Sequence, residues 1–169
     1  MDSAMCFEEQ ILFASDIAPT TNRLLQKAVL LRTHHPAQAE QLLWHVRAED
    51  PGCLQVYFAL YKFYANQKRL DDAERVIRMA LVEASRQGEF PMLWRHIVEK
   101  TERPCLYTIA SGHFYLFSLK ALAFVTLRRG YRDDALAMLD ALAVLDPEDR
   151  VGGSVIRALA EALDGETVA

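Results

Sequence analysis

Apolar side chains recur at helical spacing in two neighbouring stretches of residues 54–87, with a short polar turn at 66–69 between them. The apolar positions are Val56, Tyr57, Leu60, Tyr61 and Tyr64 in the first stretch and Ala73, Val76, Ile77, Ala80 and Leu81 in the second. Spacings of three and four residues place such side chains on one face of an α-helix. The pattern therefore predicts two antiparallel helices joined in a hairpin. A single hairpin leaves its apolar face uncovered, so we expect further helices to pack against it.

The rest of the chain shows the same alternation of helical apolar stretches and polar breaks. It predicts a leading helix at about 4–15, a hairpin at about 20–53, a further hairpin at 111–149 and a capping helix at about 154–164. Residues 88–110 fit neither neighbouring hairpin and are predicted to form an insertion with a short helix. No stretch shows a convincing alternation with period two, which is typical of a strand. We therefore expect a single all-α domain of 169 residues.

Residues with cap or turn preferences predict where some of these helices begin. Asn22 can cap the helix that ends near Arg32, and Ser154 can cap the last helix, because their side chains accept hydrogen bonds from the first backbone N–H groups. Pro91 is expected to open the short helix of the insertion, since proline fits a first helical turn. Residues 106–110 are ambiguous between an extended segment and the start of a helix.

A small residue recurs at the same place in three predicted second helices, as Ala39, Ala73 and Ala135, and a large apolar residue follows each of them four positions later. The small side chain lets the two helices of a hairpin approach closely. Ala39 and Ala73 are 34 residues apart, and a helix-turn-helix period of this length resembles the tetratricopeptide repeat. The resemblance covers about 100 of the 169 residues in three repeats. The third repeat is out of phase because of the insertion.

The resemblance implies an α-solenoid whose concave face is made mainly by the first helix of each hairpin and binds a peptide or a partner protein. The groove positions that it implies in the second and third repeats are Gln55, Phe58, Lys62, Asn66, Phe117, Lys120, Phe124 and Arg128. An apolar lining with scattered cations suits an extended or helical segment with apolar anchors. Alternatively, the phenylalanines are core residues that the leading helix, the insertion or the last helix covers.

Charge and cysteine usage narrow the class of protein. Lys and Arg number 19 against 23 Asp and Glu, so the net charge of −4 argues against a nucleic-acid-binding protein. Cys6, Cys53 and Cys105 are odd in number without a short spacing, which favours reduced thiols in a cytoplasm. The first basic residue is Arg23, so the start lacks the charged region of a secretory signal. The most apolar run, 114–127, is shorter than the roughly 20 residues that span a bilayer and predicts a buried helix.

No motif in the sequence carries recognisable catalytic or metal chemistry. The five histidines include no pair at i, i+4 on one helix, and no phosphate-binding glycine loop, GxSxG or HExxH is present. We therefore expect no catalytic residue, metal or cofactor. The expected function is a cytoplasmic adaptor or assembly chaperone for a protein segment, similar in length and plan to bacterial type III secretion chaperones. Two alternatives are a self-associating subunit of a homo-oligomer and a small-ligand pocket under the inserted helix.

Overall fold

The structure, a computed structural model, describes residues 17–100 and 106–165. Within these residues it contains eight α-helices and no strand, so the predicted all-α class is confirmed. The helices are α1 (Pro19–Leu31), α2 (Pro36–Glu49), α3 (Leu54–Asn66), α4 (Leu70–Gly88), α5 (Trp94–Val98), α6 (Ala110–Arg128), α7 (Arg132–Leu145) and α8 (Gly153–Gly165). A 3-10 turn at Leu106–Thr108 precedes α6. The predicted leading helix at 4–15 lies outside the described residues.

The helices pair in chain order into the predicted hairpins. α1 packs against α2, α3 against α4, and α6 against α7. The hairpins in turn pack on one another through α2 with α3 and through α4 with α6. The first helices also touch their neighbours, α1 with α3 and α3 with α6, so these three helices share one side of the protein.

The three alanines on which the predicted repeat is based lie in the core. Ala39, Ala73 and Ala135 are all fully buried, at 0 % exposure. The large residues that follow them, Leu43, Ile77 and Leu139, are buried as well. In α2, α4 and α7 alike, a buried alanine is thus followed four positions later by a large buried residue.

A polar cluster joins the first hairpin to the second. The hydroxyl of Tyr64 on α3 donates to Glu40 Oε1 on α2 at 2.7 Å and accepts the indole N–H of Trp44 at 2.8 Å. Arg69, in the turn before α4, donates to both oxygens of Glu40 at 2.9 and 3.1 Å. Its guanidinium lies 4.6 Å from the centre of the Tyr64 ring. Three consecutive helices are thus tied together at one point.

α6 is the central helix of the fold. It packs against α3, α4, α7, α8 and the 3-10 turn. By length and composition alone its 19 residues could cross a membrane, but 67 % of its most apolar window is buried inside the protein. Its apolar surface is covered by other helices, so the prediction of a buried helix in this region is confirmed.

The insertion differs in detail from its prediction. α4 continues to Gly88 and ends where Glu89 adopts a left-handed conformation with φ 54°. Pro91 does not open a helix, because α5 begins only at Trp94. The ambiguous residues 106–108 form the 3-10 turn, which packs closely on α6: a Cβ on Gly112 would lie 2.1 Å from the carbonyl oxygen of Leu106. α5 packs against α7.

Two predicted helix caps are wrong. α1 begins at Pro19, so Asn22 lies inside its first turns, where its N–H donates to the carbonyl of Ala18 at 2.9 Å. Ser154 likewise lies inside α8, and the side chain of Asp149 takes the capping role by accepting both the backbone N–H and the hydroxyl of Ser154. In both cases a helix starts earlier than the favoured cap residue.

Candidate functional site

Three phenylalanines from two helices line one cavity on the side formed by the first helices. Phe58 on α3 and Phe117 and Phe124 on α6 are half-buried and enclose about 170 Å³. The other residues that line this cavity are Tyr61, Lys62, Lys120, Ala121 and Ile156. Phe117 and Phe124 are seven residues apart, which is about two helical turns, so their side chains lie on the same face of α6.

A smaller cavity of about 30 Å³ continues this surface towards α1. Phe58 and Lys62 line it too, together with Val29 of α1 and Arg32, the residue that caps α1. The two cavities therefore form one surface that crosses α1, α3 and α6 and ends at Ile156 of α8. We call this surface the groove.

A cation lies over the ring of each of the three phenylalanines that line the cavity of about 170 Å³. Lys62 Nζ is 5.3 Å from the centre of the Phe58 ring. Lys120 Nζ is 4.8 Å from the centre of the Phe117 ring, and Arg128 Cζ is 5.9 Å from that of Phe124. In each pair the cation follows the ring by three or four residues, the spacing at which helical side chains are neighbours. Contacts of this length are attractive through the electron-rich face of the ring.

The groove is positively charged in a protein with a negative net charge. Its lining includes Arg32, Lys62 and Lys120, and no carboxylate lines either cavity in the described part of the chain. The pKa of Asp149 is lowered, mainly by its hydrogen bonds with Ser154, and the positive charge of Lys120 contributes in the same direction. This lining thus contrasts in sign with the net charge of −4 of the whole chain.

The structure brings together most of the residues that the sequence placed in the groove. Phe58, Lys62, Phe117, Lys120 and Phe124 all line the larger cavity. Arg128 does not line it, but it lies beside it over Phe124 and is exposed.

The two remaining predicted groove residues, Gln55 and Asn66, lie elsewhere. Gln55 is half-buried near the start of α3 and accepts a hydrogen bond from the thiol of Cys53 at 3.4 Å. Asn66 is exposed as the last residue of α3. Neither lines a groove cavity, because these positions at the two ends of α3 are offset from Phe58 and Lys62 along the helix axis.

The sequence did not predict that Tyr61 and Ile156 line the groove. Tyr61 follows Phe58 by three residues, so its spacing could have placed it on the same face; its ring stacks edge-on against Phe58 at 5.8 Å. Ile156 comes from α8, and no local pattern indicates which side of the third hairpin that helix covers. α8 packs against both α6 and α7, and this arrangement brings Ile156 to the end of the groove.

The described part of the insertion lies away from the groove. Met92, Leu93, Trp94 and Arg95 line a separate cavity of about 350 Å³ together with residues of α4 and α7 such as Val82 and Met138. The hydroxyl of Tyr115 fixes this segment by donating to the carbonyl of Met92 at 2.7 Å. None of the described insertion residues lines either groove cavity.

Reactive side chains in the described residues do not converge. No group of three or more His, Cys, Asp or Glu that could hold a metal ion occurs among them. Cys53 is buried, and this burial raises the pKa of its thiol. His113 lies against Phe117 with ring centres 5.1 Å apart, and burial lowers its pKa. These groups are placed for packing, and the groove offers aromatic rings and cations.

Comparison with known proteins gives one informative relationship. The chain is 29 % identical over 160 residues to the "Uncharacterized 19.8 kDa protein in nifW 5'region" of Azotobacter chroococcum mcd 1. The aligned residues cover 92 % of this chain and 83 % of the relative. No protein-family model matches the chain. No solved structure matches it. The protein is thus similar along most of its length to a bacterial protein.

Proposed function

We propose that this protein is a non-enzymatic, tetratricopeptide-like helical repeat protein that binds a segment of another protein in the groove. It would act as an adaptor or assembly chaperone in a bacterial cytoplasm. The observation that carries the proposal is the cavity lined by Phe58, Phe117 and Phe124, with a cation over each ring. The three consecutive hairpins, each with a fully buried alanine in its second helix, support the tetratricopeptide-like part.

The size of the cavity favours a polypeptide side chain as its occupant. Pockets for whole small molecules enclose about 300–1,000 Å³. The groove cavity is about 170 Å³ and opens into a longer surface, which suits an anchoring side chain of a segment that continues across α1, α3 and α6. Aromatic and aliphatic anchors in such pockets carry most of the affinity in protein interfaces.

The charges of the groove favour an acidic segment. A carboxylate beside the anchor would meet Lys62, Lys120 or Arg128 at the edge of the rings. Such rim charges raise the rate of association and select the partner more than they raise affinity. The proposed ligand is therefore a segment with apolar anchors flanked by Asp or Glu.

A tagged pull-down from the native host with mass spectrometry tests this function. The wild type is compared with the double variant Phe124→Ala, Lys62→Glu, and Lys27→Glu on the exposed surface of α1 serves as the matched charge control. We expect a partner that the wild type and the control hold and the double variant loses, although the double variant remains folded at the temperature of the pull-down. A partner held equally by all three proteins would refute the groove as the binding surface.

The second candidate function is a homo-oligomeric subunit, which the last helix favours. Val155 is 67 % exposed and Leu163 44 % exposed on α8, and Leu159 between them is 37 % exposed. A second copy of the chain could cover this apolar stripe. In that case sedimentation would give a mass above the monomer that rises with concentration, and Val155→Glu would return the protein to the monomer. A monomer at all concentrations rules this candidate out.

A further inference from the structure

The cavity on the insertion side is large enough to hold a whole small molecule. It encloses about 350 Å³, against about 170 Å³ for the larger of the two groove cavities. Pockets for small organic ligands typically enclose about 300–1,000 Å³. Its lining comes from α4, α5, α6 and α7 and from the segment before α5, so tertiary packing builds it. The cavity therefore has the volume and the construction of a ligand site.

The deepest part of this cavity is apolar. Leu81 of α4, Leu122 of α6 and Met138 of α7 line it and are each less than a tenth exposed. Three further large apolar side chains that line it are each between 46 % and 49 % exposed, namely Val82, Met92 and Leu93. Adjacent exposed apolar side chains that surround a concave surface and have a polar rim are typical of a ligand-binding site. An apolar ligand could thus bury its surface here.

The segment that forms the outer wall is fixed at both ends. Phe90 before it is 9 % exposed, and Ile97 after it is fully buried. The Phe90 ring packs edge-on against Tyr115, with ring centres 5.1 Å apart. The Tyr115 hydroxyl donates to the carbonyl of Met92 at 2.7 Å. Contacts within the protein therefore hold the wall in place, as in ligand pockets that are largely pre-formed.

Charged side chains lie at the mouth of the cavity. Arg78, Arg95 and Asp134 line it and are exposed, which gives an excess of one positive charge. Arg78 pairs with Glu74 Oε1 through Nε and Nη2, at 2.8 and 2.7 Å, and no hydrogen bond among the described residues uses its Nη1. The guanidinium of Arg95 lies over the ring of Trp94, 4.5 Å from its centre. Guanidinium groups bind carboxylates in particular, because their planar N–H donors match the two oxygens.

We propose that this cavity binds a small carboxylic acid with an apolar body. The body is buried against the apolar floor, and the carboxylate accepts hydrogen bonds from Arg78 and Arg95 at the mouth. Asp134 disfavours a second negative charge on the ligand, since like charges repel. The site is separate from the groove, and the inference does not rest on the proposed function.

Titration of the purified full-length protein with two simple acids tests the inference. The probes are 3-phenylpropionate, with an aromatic body, and decanoate, with an aliphatic one. Trp94 in the cavity reports binding through its fluorescence. The chain contains two tryptophans, so Trp44→Phe leaves Trp94 as the only indole. Calorimetry on the wild type follows the same titrations, in case Trp44→Phe does not fold.

We expect saturable binding of at least one acid at a single site. The alcohol and the amine with the same apolar body should bind several-fold more weakly, and the amine most weakly. Arg78→Gln together with Arg95→Gln should weaken binding of the acid by about tenfold or more, because charge-assisted hydrogen bonds are lost. Asp134→Asn should strengthen it several-fold. Arg75→Gln, exposed on α4 outside the cavity, is the matched control and should change nothing.

A substitution in the wall tests where the apolar body lies. Leu93→Asp places a negative charge in the wall at a position that is 49 % exposed, so the variant should remain folded and lose binding of the acid. Leu30→Asp makes the same change at a position on α1 that is 79 % exposed, and it should bind like the wild type. Circular dichroism verifies that both variants are folded.

Four results would overturn the inference. They are the absence of saturable binding of either acid below about 1 mM, equal affinity for acid and amine, unchanged binding by Leu93→Asp, and loss of binding in Phe124→Ala with Lys62→Glu. The last result would place the acid in the groove. Because the experiment needs no partner protein, its outcome is independent of the pull-down that tests the proposed function.

Discussion

At the scale of single residues, the groove phenylalanines combine two roles that the sequence left open. Phe58, Phe117 and Phe124 contact the core through one part of the ring and line the cavity with the rest. The aliphatic stems of Lys62 and Lys120 can cover apolar surface while their charges stay at its edge. A half-buried ring with a cation over it therefore keeps an apolar surface for a ligand, while the charge beside the ring stays in contact with water.

Truncating a groove ring should cost less stability than truncating a core ring of the same helix. Phe124 is half-buried, and Phe114 on the same helix is only 7 % exposed. Loss of a fully buried phenylalanine costs about 3–5 kcal/mol. We expect such a loss for Phe114→Ala and about 1–2 kcal/mol for Phe124→Ala, measured by urea unfolding. Equal losses in the two variants would show that Phe124 is a core residue.

The ion pair between Glu40 and Arg69 should make stability depend on pH. Hydrogen bonds from Arg69 hold the pKa of Glu40 below its usual value, against the opposing effect of burial. A lowered folded-state pKa stabilises the protein above the unfolded-state pKa of about 4.3 and loses this effect as the pH falls towards the folded-state value.

The comparison of wild type with Glu40→Gln measures this contribution. The free energy of unfolding should be lower for the variant by a constant amount between about pH 5 and pH 7, and the difference should shrink below about pH 4.3. Glu161→Gln, at an exposed position on α8, is the matched control and should not change stability measurably. A difference between wild type and Glu40→Gln that grows on acidification would contradict the assigned pair.

At the scale of elements, hairpins could be predicted more surely than the points where helices begin. The apolar periodicity and the recurring alanines predicted the three helical hairpins, because these positions face neighbouring helices in any compact arrangement. Local preferences for caps and first turns predicted the wrong helix start at Asn22, Pro91 and Ser154, since tertiary packing extends or shortens the first turn at small cost in free energy. The boundary of a helix depends on contacts with residues distant in sequence.

The contact between the 3-10 turn and α6 should depend on Gly112. In most helices a change from glycine to alanine stabilises by up to about 1 kcal/mol. Here the added Cβ would collide with the backbone of Leu106, at 2.1 Å from its carbonyl oxygen. We expect Gly112→Ala to destabilise the protein by about 1–3 kcal/mol, in the range of an overpacked core.

Gly52→Ala is the matched control for this substitution. Its Cβ would meet no atom closer than 3.7 Å, so its effect should stay within about 0.5 kcal/mol. Thermal or urea unfolding of both variants and the wild type measures the two changes in stability. A stabilised Gly112→Ala protein would mean that the turn does not pack on α6 as described.

At the scale of the whole molecule, apolar side chains of the described residues line cavities on two different sides of the protein. The groove lies on the side of α1, α3 and α6, and the separate cavity of about 350 Å³ that residues 92–95 line lies beside α4 and α7. The resemblance to a repeat implied five of the residues that line the first side, because the resemblance specifies one face of each first helix. It could not predict where residues 92–95 and Ile156 pack, because an insertion and a terminal helix follow no repeat.

Photo-crosslinking from these two sides in the native host tests the central claim most directly. Phe124 lies in the groove, and Met92, which is 46 % exposed, lines the separate cavity at the insertion. Each of them is replaced by p-benzoylphenylalanine in the full-length protein. The account predicts that the residue at position 124 forms adducts with another protein and that the residue at position 92 does not. Adducts only from position 92, or adducts only between copies of this chain, would contradict it.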